Sequence, residues 1–401
     1  MNYSSSYSSS SSSFYEVGTP TLIGLFIISY LVSILSVLGG ISGGAMIIPL
    51  FSLLLDRDVK DLVFFSLVII CGGAIVRAGY FLKKRHNLAE NRYLTNYELT
   101  RLTIIFTSST SFLGYALNRV LPNIVILILI VITMSVLIFT TIKNTIKVYK
   151  QKDNNIVDKD NILIDGISLD SLDNNKDKLP ENNSSKSNET KFYLFKNIVF
   201  TLLITGLGFF FTFVRNIYDE FSLEAWLIYI NQFVISMIFA FQIINEIKMQ
   251  HILRKKTKFT FVEGDIEWDD NKNFLKYGIL SSFVGFIASL IGIGGSIIMN
   301  PIMINLKLLP EVVVATSAVT SFFASFLSTI QYIFDEELDW ILLGLFLSGS
   351  IGTLTGIIIY RFLNKNKNIR IIIMSFLIIS LIGSLILLLV TNIISIVKNG
   401  I

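Results

Sequence analysis

Two glycine-rich phrases, at residues 40–49 and 292–301, are the part of this chain with the clearest capacity for chemistry. Both have the pattern G-x-[GS]-G-[GS]-x4-P, and both interrupt a long apolar stretch. Glycines there leave backbone N–H groups unpaired. Lipid offers them no partner, so such a break is tolerated only where protein covers it or a cavity wets it. Paired breaks in two halves of one chain are typical of a binding site for a small solute.

The chemistry that such breaks offer is anion binding. A short apolar helix follows each phrase, and the N-terminus of a helix presents unpaired N–H groups and the positive end of the helix dipole. Hydroxyls and an amide in the phrases add further donors. The predicted anion-binding residues of the phrases are Gly40, Ser42, Gly43, Gly44, Gly292, Gly294, Gly295, Ser296 and Asn300. The alternative interpretation is that the glycines only allow two helices to pack closely.

A row of polar side chains follows the second phrase. Thr316 and Ser317 open it, and Thr320, Ser321, Ser325, Ser328, Thr329 and Gln331 continue it. Spacings of three or four residues place several of them on one face of a helix. If that face borders a cavity, the hydroxyls bind or hydrate an anion. If it packs against a helix, they bond backbone carbonyls. Both interpretations stay open, and Thr316 and Ser317 are included among the predicted binding residues.

Arg77 is the one strongly charged residue inside an apolar segment, and charges at membrane depth are candidates for function. It lies six residues before Lys83, so its guanidinium can instead reach the membrane surface. Attraction of an anion and anchoring at the surface are the two alternatives for Arg77. No Asp or Glu lies within an apolar core, so the sequence predicts no proton relay by carboxylates.

The composition is that of a membrane protein. Of 401 residues, 52% are hydrophobic and 15% are charged, whereas soluble proteins carry about 25% charged residues. Apolar stretches of membrane-crossing length recur along the chain. One cysteine and two histidines are too few for a membrane metalloenzyme. We therefore expect no metal, no cofactor and no catalysis. No basic stripe with interleaved aromatics is present, so we expect no nucleic-acid partner.

Composition divides the chain into six parts. They are a Ser-rich tail at 1–20, a first membrane unit at 21–142, a polar low-complexity loop at 143–192, two linking membrane helices at 193–247, a polar loop at 248–275 and a second membrane unit at 276–394. The predicted fold is therefore an all-α, multi-pass helical bundle, with the lipid membrane as its surroundings.

The two membrane units are predicted to be inverted repeats. The glycine phrases lie 252 positions apart (292 minus 40), and Tyr80 meets Tyr332 at the same offset. The loop at 83–101 is basic, whereas its counterpart at 335–339 is acidic. Opposite charge in equivalent loops indicates opposite orientation in the membrane. Inversion follows if each broken segment enters the membrane and returns on the same side. The alternative is that every segment crosses and the repeats are parallel.

At these residues the chain resembles the TauE/SafE family of sulfite and organosulfonate exporters. The resemblance rests on the two phrases, on Ala315-Thr316-Ser317 and on Gln331-Tyr332, while residues 264–268 are similar to the eukaryotic branch. It implies a multi-pass secondary carrier of small sulfur-containing anions that works without ATP. Ser42 and Ser296 stand where the family has glycine. An anion channel on the same architecture, and a scaffold or trafficking protein acting through its polar loops, are the alternatives.

Overall fold

The computed structural model shows twelve α-helices and one short β-hairpin among the residues that it describes. These residues are 18–39, 43–55, 57–86, 89–154, 183–218, 222–256, 266, 268, 271–305, 308–334, 340–363, 378–379 and 381–390. The predicted tail as far as residue 17, residues 155–182 of the first polar loop, most of 257–270 and the acidic loop 335–339 lie outside them.

The helices follow the predicted apolar segments. They are α1 (Thr19–Gly39), α2 (Gly44–Leu54), α3 (Val59–Phe81), α4 (Tyr97–Val120), α5 (Asn123–Asn154), α6 (Asn183–Arg215), α7 (Leu223–Lys256), α8 (Asn271–Ile291), α9 (Ser296–Asn305), α10 (Pro310–Ile333) and α11 (Trp340–Leu363). A short apolar helix follows at Leu381–Val390. Strands β1 (Arg85–His86) and β2 (Ala89–Tyr93) pair antiparallel between α3 and α4. Helices α5 and α6 extend into the predicted polar loop at 143–192, since α5 ends at Asn154 and α6 begins at Asn183.

Seven of the described helices are long and apolar enough to cross a membrane: α1, α3, α6, α7, α8, α10 and α11. Helix α7 shows how they are embedded. Its buried residues recur at a helical period, from Ala225 through Gln232 and Ala240 to Ile247, while the remaining faces expose large apolar side chains such as Leu227 and Phe241. Apolar surface of this extent is shielded by lipid. The protein is an integral, multi-pass, all-α membrane protein, which confirms the predicted fold class.

Helix α4 is the polar helix at the centre of the bundle. It carries Glu98, Arg101 and Arg119 and is buried along most of its length, packed against α6, α7, α8 and α10. The Asn96 side chain caps its start by accepting a hydrogen bond from the Leu99 N–H at 3.1 Å. A helix with three charged residues is too polar to face lipid. The more apolar helices around α4 shield it.

Each glycine phrase turns the chain back on itself. Gly292 and Gly294 have φ values of +67° and +85°, in the left-handed region that glycine adopts readily. Beyond them a Cβ on Gly295 would lie 3.2 Å from Val284 and 3.9 Å from Ala288. Both contacts belong to α8, so α9 begins by folding back along α8.

The first phrase folds in the same way. A Cβ on Gly43 would lie 3.0 Å from Val32 and 3.5 Å from Ser36 of α1. These partners precede Gly43 by 11 and 7 residues, the separations that Val284 and Ala288 have from Gly295. Two helical hairpins of one design therefore occur 252 residues apart, and whether each re-enters or crosses the membrane stays a prediction.

Helices of one unit pair with helices of the other in a reciprocal way. On α4 and α8, Thr103 lies at 2.7 Å from Tyr277 and Asn118 donates to the Leu290 carbonyl at 2.7 Å. Residue numbers rise together, so α4 and α8 are parallel. Helices α1 and α11 are parallel too, because Ser348 donates to the Phe26 carbonyl and Tyr30 donates to Thr355.

The equivalent helices α3 and α10 run antiparallel. Thr329 donates to the Leu67 carbonyl at 3.2 Å, and the ring of Tyr332 lies 6.1 Å from that of Phe64. Residue numbers therefore rise along one helix as they fall along the other. Equivalent helices that point in opposite directions are what an inverted repeat produces. This geometry supports the predicted inversion, which stays a prediction until each side of the membrane is identified.

Candidate functional site

The two glycine phrases meet in the middle of the bundle. A Cβ on Gly44 would lie 2.5 Å from the Gly292 carbonyl oxygen and 2.9 Å from that of Ile293. The Ser66 hydroxyl donates to the same Gly292 oxygen at 2.7 Å. Gly43, Gly44, Gly292 and Gly294 are buried, and Gly295 is half-buried. The structure thus brings the predicted phrases together, while Gly40 and Ser42 lie outside the described residues.

A small, mostly apolar cavity lies beside Gly295, and we name it the hydroxyl cavity after the five hydroxyl-bearing side chains in its lining. Its polar lining consists of Thr107, Ser108, Ser111, Thr205 and Ser328. These side chains come from α4, α6 and α10, and α8 closes the remaining wall. The cavity volume is ≈ 20 Å³, which is room for about one water molecule. Thr107, Ser108, Ser111 and Thr205 donate to carbonyls of their own helices at 2.9 to 3.3 Å, so an anion or its hydration water would have to compete with these carbonyls for the hydroxyl protons.

A chain of hydrogen bonds leads from this cavity to the second glycine phrase. Gln331 donates to the Ser111 hydroxyl at 3.0 Å, and Ser289 contacts the Gln331 oxygen at 3.4 Å. Tyr332 donates to the Ser289 carbonyl at 2.9 Å, and Asn118 donates to the Leu290 carbonyl at 2.7 Å. A helix that ends inside the bundle leaves carbonyls unpaired. Side chains of α4 and α10 satisfy two of these carbonyls, at the end of α8.

Two arginines lie next to this chain of hydrogen bonds. The guanidinium carbon of Arg215 lies 5.2 Å from the centre of the Tyr115 ring, and that of Arg119 lies 5.9 Å from it. Arg215 also donates to the Tyr115 hydroxyl at 3.3 Å. Tyr115 packs edge-on against Tyr332 at 4.9 Å. The end of α8 that carries Gly292 therefore lies near two positive charges.

The predicted residues of α9 lie directly after the break. Ser296 is 4% exposed, and its hydroxyl has no hydrogen-bond partner among the described residues. A buried hydroxyl without a partner at the start of a helix is a donor that a ligand can use. Asn300 lies about one turn further along α9 and is half-buried.

Thr316 and Ser317 lie away from the cavity. Thr316 accepts a hydrogen bond from the Asn96 N–H at 3.0 Å, at the start of α4. Ser317 donates to the Val314 carbonyl of its own helix at 3.2 Å. Twelve residues separate Thr316 from Ser328 of the cavity, which is about 18 Å along a helix. The structure does not bring this predicted pair to the glycine phrases.

The rest of the α10 polar row divides between the two predicted roles. Thr320, Ser325 and Thr329 donate to backbone carbonyls at 3.0, 3.2 and 2.7 Å, as expected for packed hydroxyls. Ser328 lines the cavity instead.

Arg77 is half-buried on α3. Ile70 of the same helix approaches Gly44, since its Cδ1 would lie 2.6 Å from a Cβ there. Arg77 follows Ile70 by seven residues, so it points to the same side about 10 Å further along the helix. Its Nε is buried without a hydrogen-bond partner among the described residues. Both predicted roles of Arg77 stay open.

Sequence reasoning missed the contribution of α4. Its residues 107–111 are Thr-Ser-Ser-Thr-Ser inside an apolar segment, and three of the five line the cavity. A hydroxyl-rich run at membrane depth was the signal that could have identified it. Arg215 lies at the end of a membrane helix, and its sequence position gives no sign that it packs against Tyr115.

A bundle of membrane-crossing helices with two broken hairpins meeting at its centre defines a multi-pass membrane transporter. Comparison with protein families gives the particular group. Residues 7–216 and 277–394 match the family model described as "Sulfite exporter TauE/SafE". The chain belongs to the TauE/SafE family, as the resemblance at the glycine phrases indicated.

Curated relatives of the chain come from the plant Arabidopsis thaliana. "Sulfite exporter TauE/SafE family protein 2" is 25% identical over 351 residues, which cover 83% of this chain and 75% of the relative. "Sulfite exporter TauE/SafE family protein 5" is 23% identical over 321 residues, covering 77% of this chain and 68% of the relative. No solved structure shows significant similarity to the chain.

Proposed function

We propose that this protein is a secondary transporter of small oxyanions of sulfur, such as sulfite or a sulfonate. One observation carries the proposal: the two glycine phrases contact each other through Gly44 and Gly292, beside a small cavity whose lining includes five hydroxyl-bearing side chains. The relatives' printed names and the family description point to sulfite as the first anion to test.

The proposed anion binds at the start of α9. Backbone N–H groups of the break, the Ser296 hydroxyl and the positive end of the α9 dipole are donors there. The cavity hydroxyls and Asn300 complete its surroundings. No lysine or arginine is needed at the tip, because a helix N-terminus holds an anion by itself. Arg119 and Arg215 then raise the local concentration of anions near the end of α8.

The hydroxyl cavity holds about one water in this conformation, so transport requires it to enlarge. In the proposed cycle, the helices of one unit move against those of the other. The antiparallel pair α3 and α10 forms the hinge surface, and the site opens alternately to each side.

The experiment that tests this proposal is flux into liposomes. The purified full-length protein is reconstituted, and uptake of radiolabelled sulfite is compared with uptake of taurine, sulfate and chloride. We expect saturable uptake of sulfite or taurine and exchange of one for the other. Uptake that never saturates would favour a channel. A folded protein that carries none of these anions would contradict the proposal and favour the scaffold alternative.

Leucine substitutions at two glycines provide a test of the site and its matched control. Gly295→Leu places a side chain toward Val284 and fills the space beside the cavity. We expect uptake to fall by at least about tenfold, since the ligand and the side chain occupy the same volume. Gly206→Leu adds the same side chain on α6, where nothing lies within 4 Å of the Cβ, and should keep wild-type uptake. Equal uptake in both variants would remove Gly295 from the site.

A further inference from the structure

The guanidinium of Arg101 is fully buried and only partly paired. Arg101 is 0% exposed, and its Nη1 donates to Glu246 of α7 at 3.0 Å. Its Nε and Nη2 have no hydrogen-bond partner among the described residues. Buried donors in folded proteins nearly always find a partner, so this unpaired edge calls for one.

The position of the two unpaired nitrogens identifies the chemistry of that partner. Nε and Nη2 lie on the same edge of the planar guanidinium, and Glu246 takes the nitrogen on the other side. An edge with two parallel N–H groups binds two oxygens of one oxyanion at once. Sulfite, sulfonates, sulfate and phosphate share this arrangement of oxygens, whereas chloride lacks it.

Helix α6 supplies a second group beside Arg101. The Phe200 ring lies 5.7 Å from the Arg101 guanidinium carbon, and Lys196 donates to the same Glu246 at 2.8 Å. Asn197 precedes Phe200 by three residues, so the two lie side by side on one face of α6. Asn197 is 0% exposed, and neither its side-chain oxygen nor its nitrogen has a hydrogen-bond partner within the described part of the chain.

The charges around Arg101 favour an anion. Arg101 and Lys196 share Glu246, and Arg254 pairs with Glu98 close by on the same two helices, α4 and α7. Among the described residues of this cluster, two positive groups, Arg101 and Lys196, share the one carboxylate of Glu246, which leaves an excess of one positive charge. At low local polarity such an excess attracts an anion more strongly than it does in water.

We propose that Arg101 and Asn197 form a second oxyanion-binding site, at the end of the bundle where α4 begins. The Lys196–Glu246 pair covers it, because the Lys196 side chain is 51% exposed and that of Glu246 is 26% exposed, whereas Arg101 lies behind them at 0%. The site opens when this pair separates. Arg101 precedes Ser108 of the hydroxyl cavity by seven residues, about 10 Å along α4, so an anion held there is two helical turns from the central site.

The choice of sulfite as the probe rests on the proposed function, whereas the site itself rests on Arg101 and Asn197. The test is therefore equilibrium binding rather than flux. Full-length protein is purified in detergent, and binding of labelled sulfite is measured on a Gly295→Leu background, which blocks the central site. Addition of an anionic phospholipid then shows whether a lipid phosphate competes with the dissolved anion for the same place.

Four variants distinguish loss of the binding site from loss of the fold. Arg101→Gln should weaken sulfite binding by about tenfold or more, and Arg101→Lys should fail to restore it, because an ammonium has no two-nitrogen edge. Glu246→Gln should strengthen binding severalfold, since it removes the competing negative charge. Lys276→Gln makes the same charge change as Arg101→Gln on the exposed surface of α8, next to Tyr277 at the same end of the bundle, and should change binding less than about twofold.

The outcomes separate this inference from the proposed function. Equal affinity with and without Arg101→Gln on the Gly295→Leu background, or equal losses in Arg101→Gln and Lys276→Gln, would overturn the Arg101 site. If the wild type carries sulfite into liposomes and these variants bind it normally, the proposed function stands and this site fails. If sulfite binds through Arg101 and no anion crosses the membrane, the site stands and the proposed function fails.

Discussion

Gly44 faces the carbonyl oxygen of Gly292, which would lie 2.5 Å from a Cβ on Gly44. These residues belong to the two glycine phrases, so this close backbone approach joins the first half of the chain to the second. A contact that only glycine permits explains why an apolar, tightly packed region keeps a residue with no side chain to bury.

Gly44→Ala should therefore destabilise the fold. The new methyl would meet two backbone carbonyls and the Ile70 side chain at 2.5 to 2.9 Å, and a backbone carbonyl cannot rotate away. Overpacking of this kind costs about 1–3 kcal/mol, which thermal unfolding in detergent detects as a lower melting temperature. Gly206→Ala, with no neighbour within 4 Å, is the matched control. An unchanged melting temperature in Gly44→Ala would mean that the phrases do not touch.

Two glycine–phenylalanine contacts test the repeat. A Cβ on Gly278 would meet the Phe106 ring at 2.7 Å, and a Cβ on Gly344 would meet the Phe26 ring at 2.6 Å. The repeat relates Phe26 to Gly278 by 252 positions (278 minus 26). Later in the units the offset is 238, at which Gly114-x3-Asn118 resembles Gly352-x3-Gly356, and it relates Phe106 to Gly344 (344 minus 106). The same contact thus occurs twice with its partners exchanged.

We expect Gly278→Ala and Gly344→Ala each to lower the melting temperature. Phe106→Leu should rescue only Gly278→Ala, and Phe26→Leu should rescue only Gly344→Ala, because residues in contact couple and distant residues do not. Thermal unfolding of the four single variants and the four double variants measures this coupling. Rescue by the wrong leucine, or by neither, would rule out the pairing of α4 with α8 and of α1 with α11.

The sequence predicted the glycine phrases and the repeat because both are local patterns that recur at a fixed offset. It did not predict the depth of side chains along a helix. Spacing placed Thr316 and Ser328 in one polar row, but only packing shows that Thr316 meets Asn96 while Ser328 lines the cavity. Arg101 likewise gives no local sign that Glu246, 145 residues later, takes one nitrogen and leaves an edge unpaired.

The orientation of the two units leads to a labelling prediction. Lys83 follows α3 and Trp340 begins α11 after α10; both are exposed. Because α3 and α10 run antiparallel, Lys83→Cys and Trp340→Cys should react with a membrane-impermeant maleimide from opposite sides, with Lys83→Cys reacting from the cytoplasmic side. Cys71 is the one cysteine of the chain and is buried, so Cys71→Ala provides the background. Labelling of both positions from one side would favour parallel repeats.

Ser296 allows ligand binding to be separated from stability. Its hydroxyl is buried and has no partner among the described residues, so Ser296→Ala removes no contact of the folded protein and should leave the melting temperature unchanged or slightly raised. If the hydroxyl donates to the bound anion, the same change should weaken sulfite binding by about two- to tenfold, the worth of one hydrogen bond.

Ser321 provides the matched control, because it is equally buried and its hydroxyl has no partner in the described part of the structure either. It does not line the cavity, so Ser321→Ala should bind sulfite as wild type does. Calorimetric titration with sulfite, paired with thermal unfolding, measures both quantities. Equal binding by the two alanine variants would place the anion away from the start of α9.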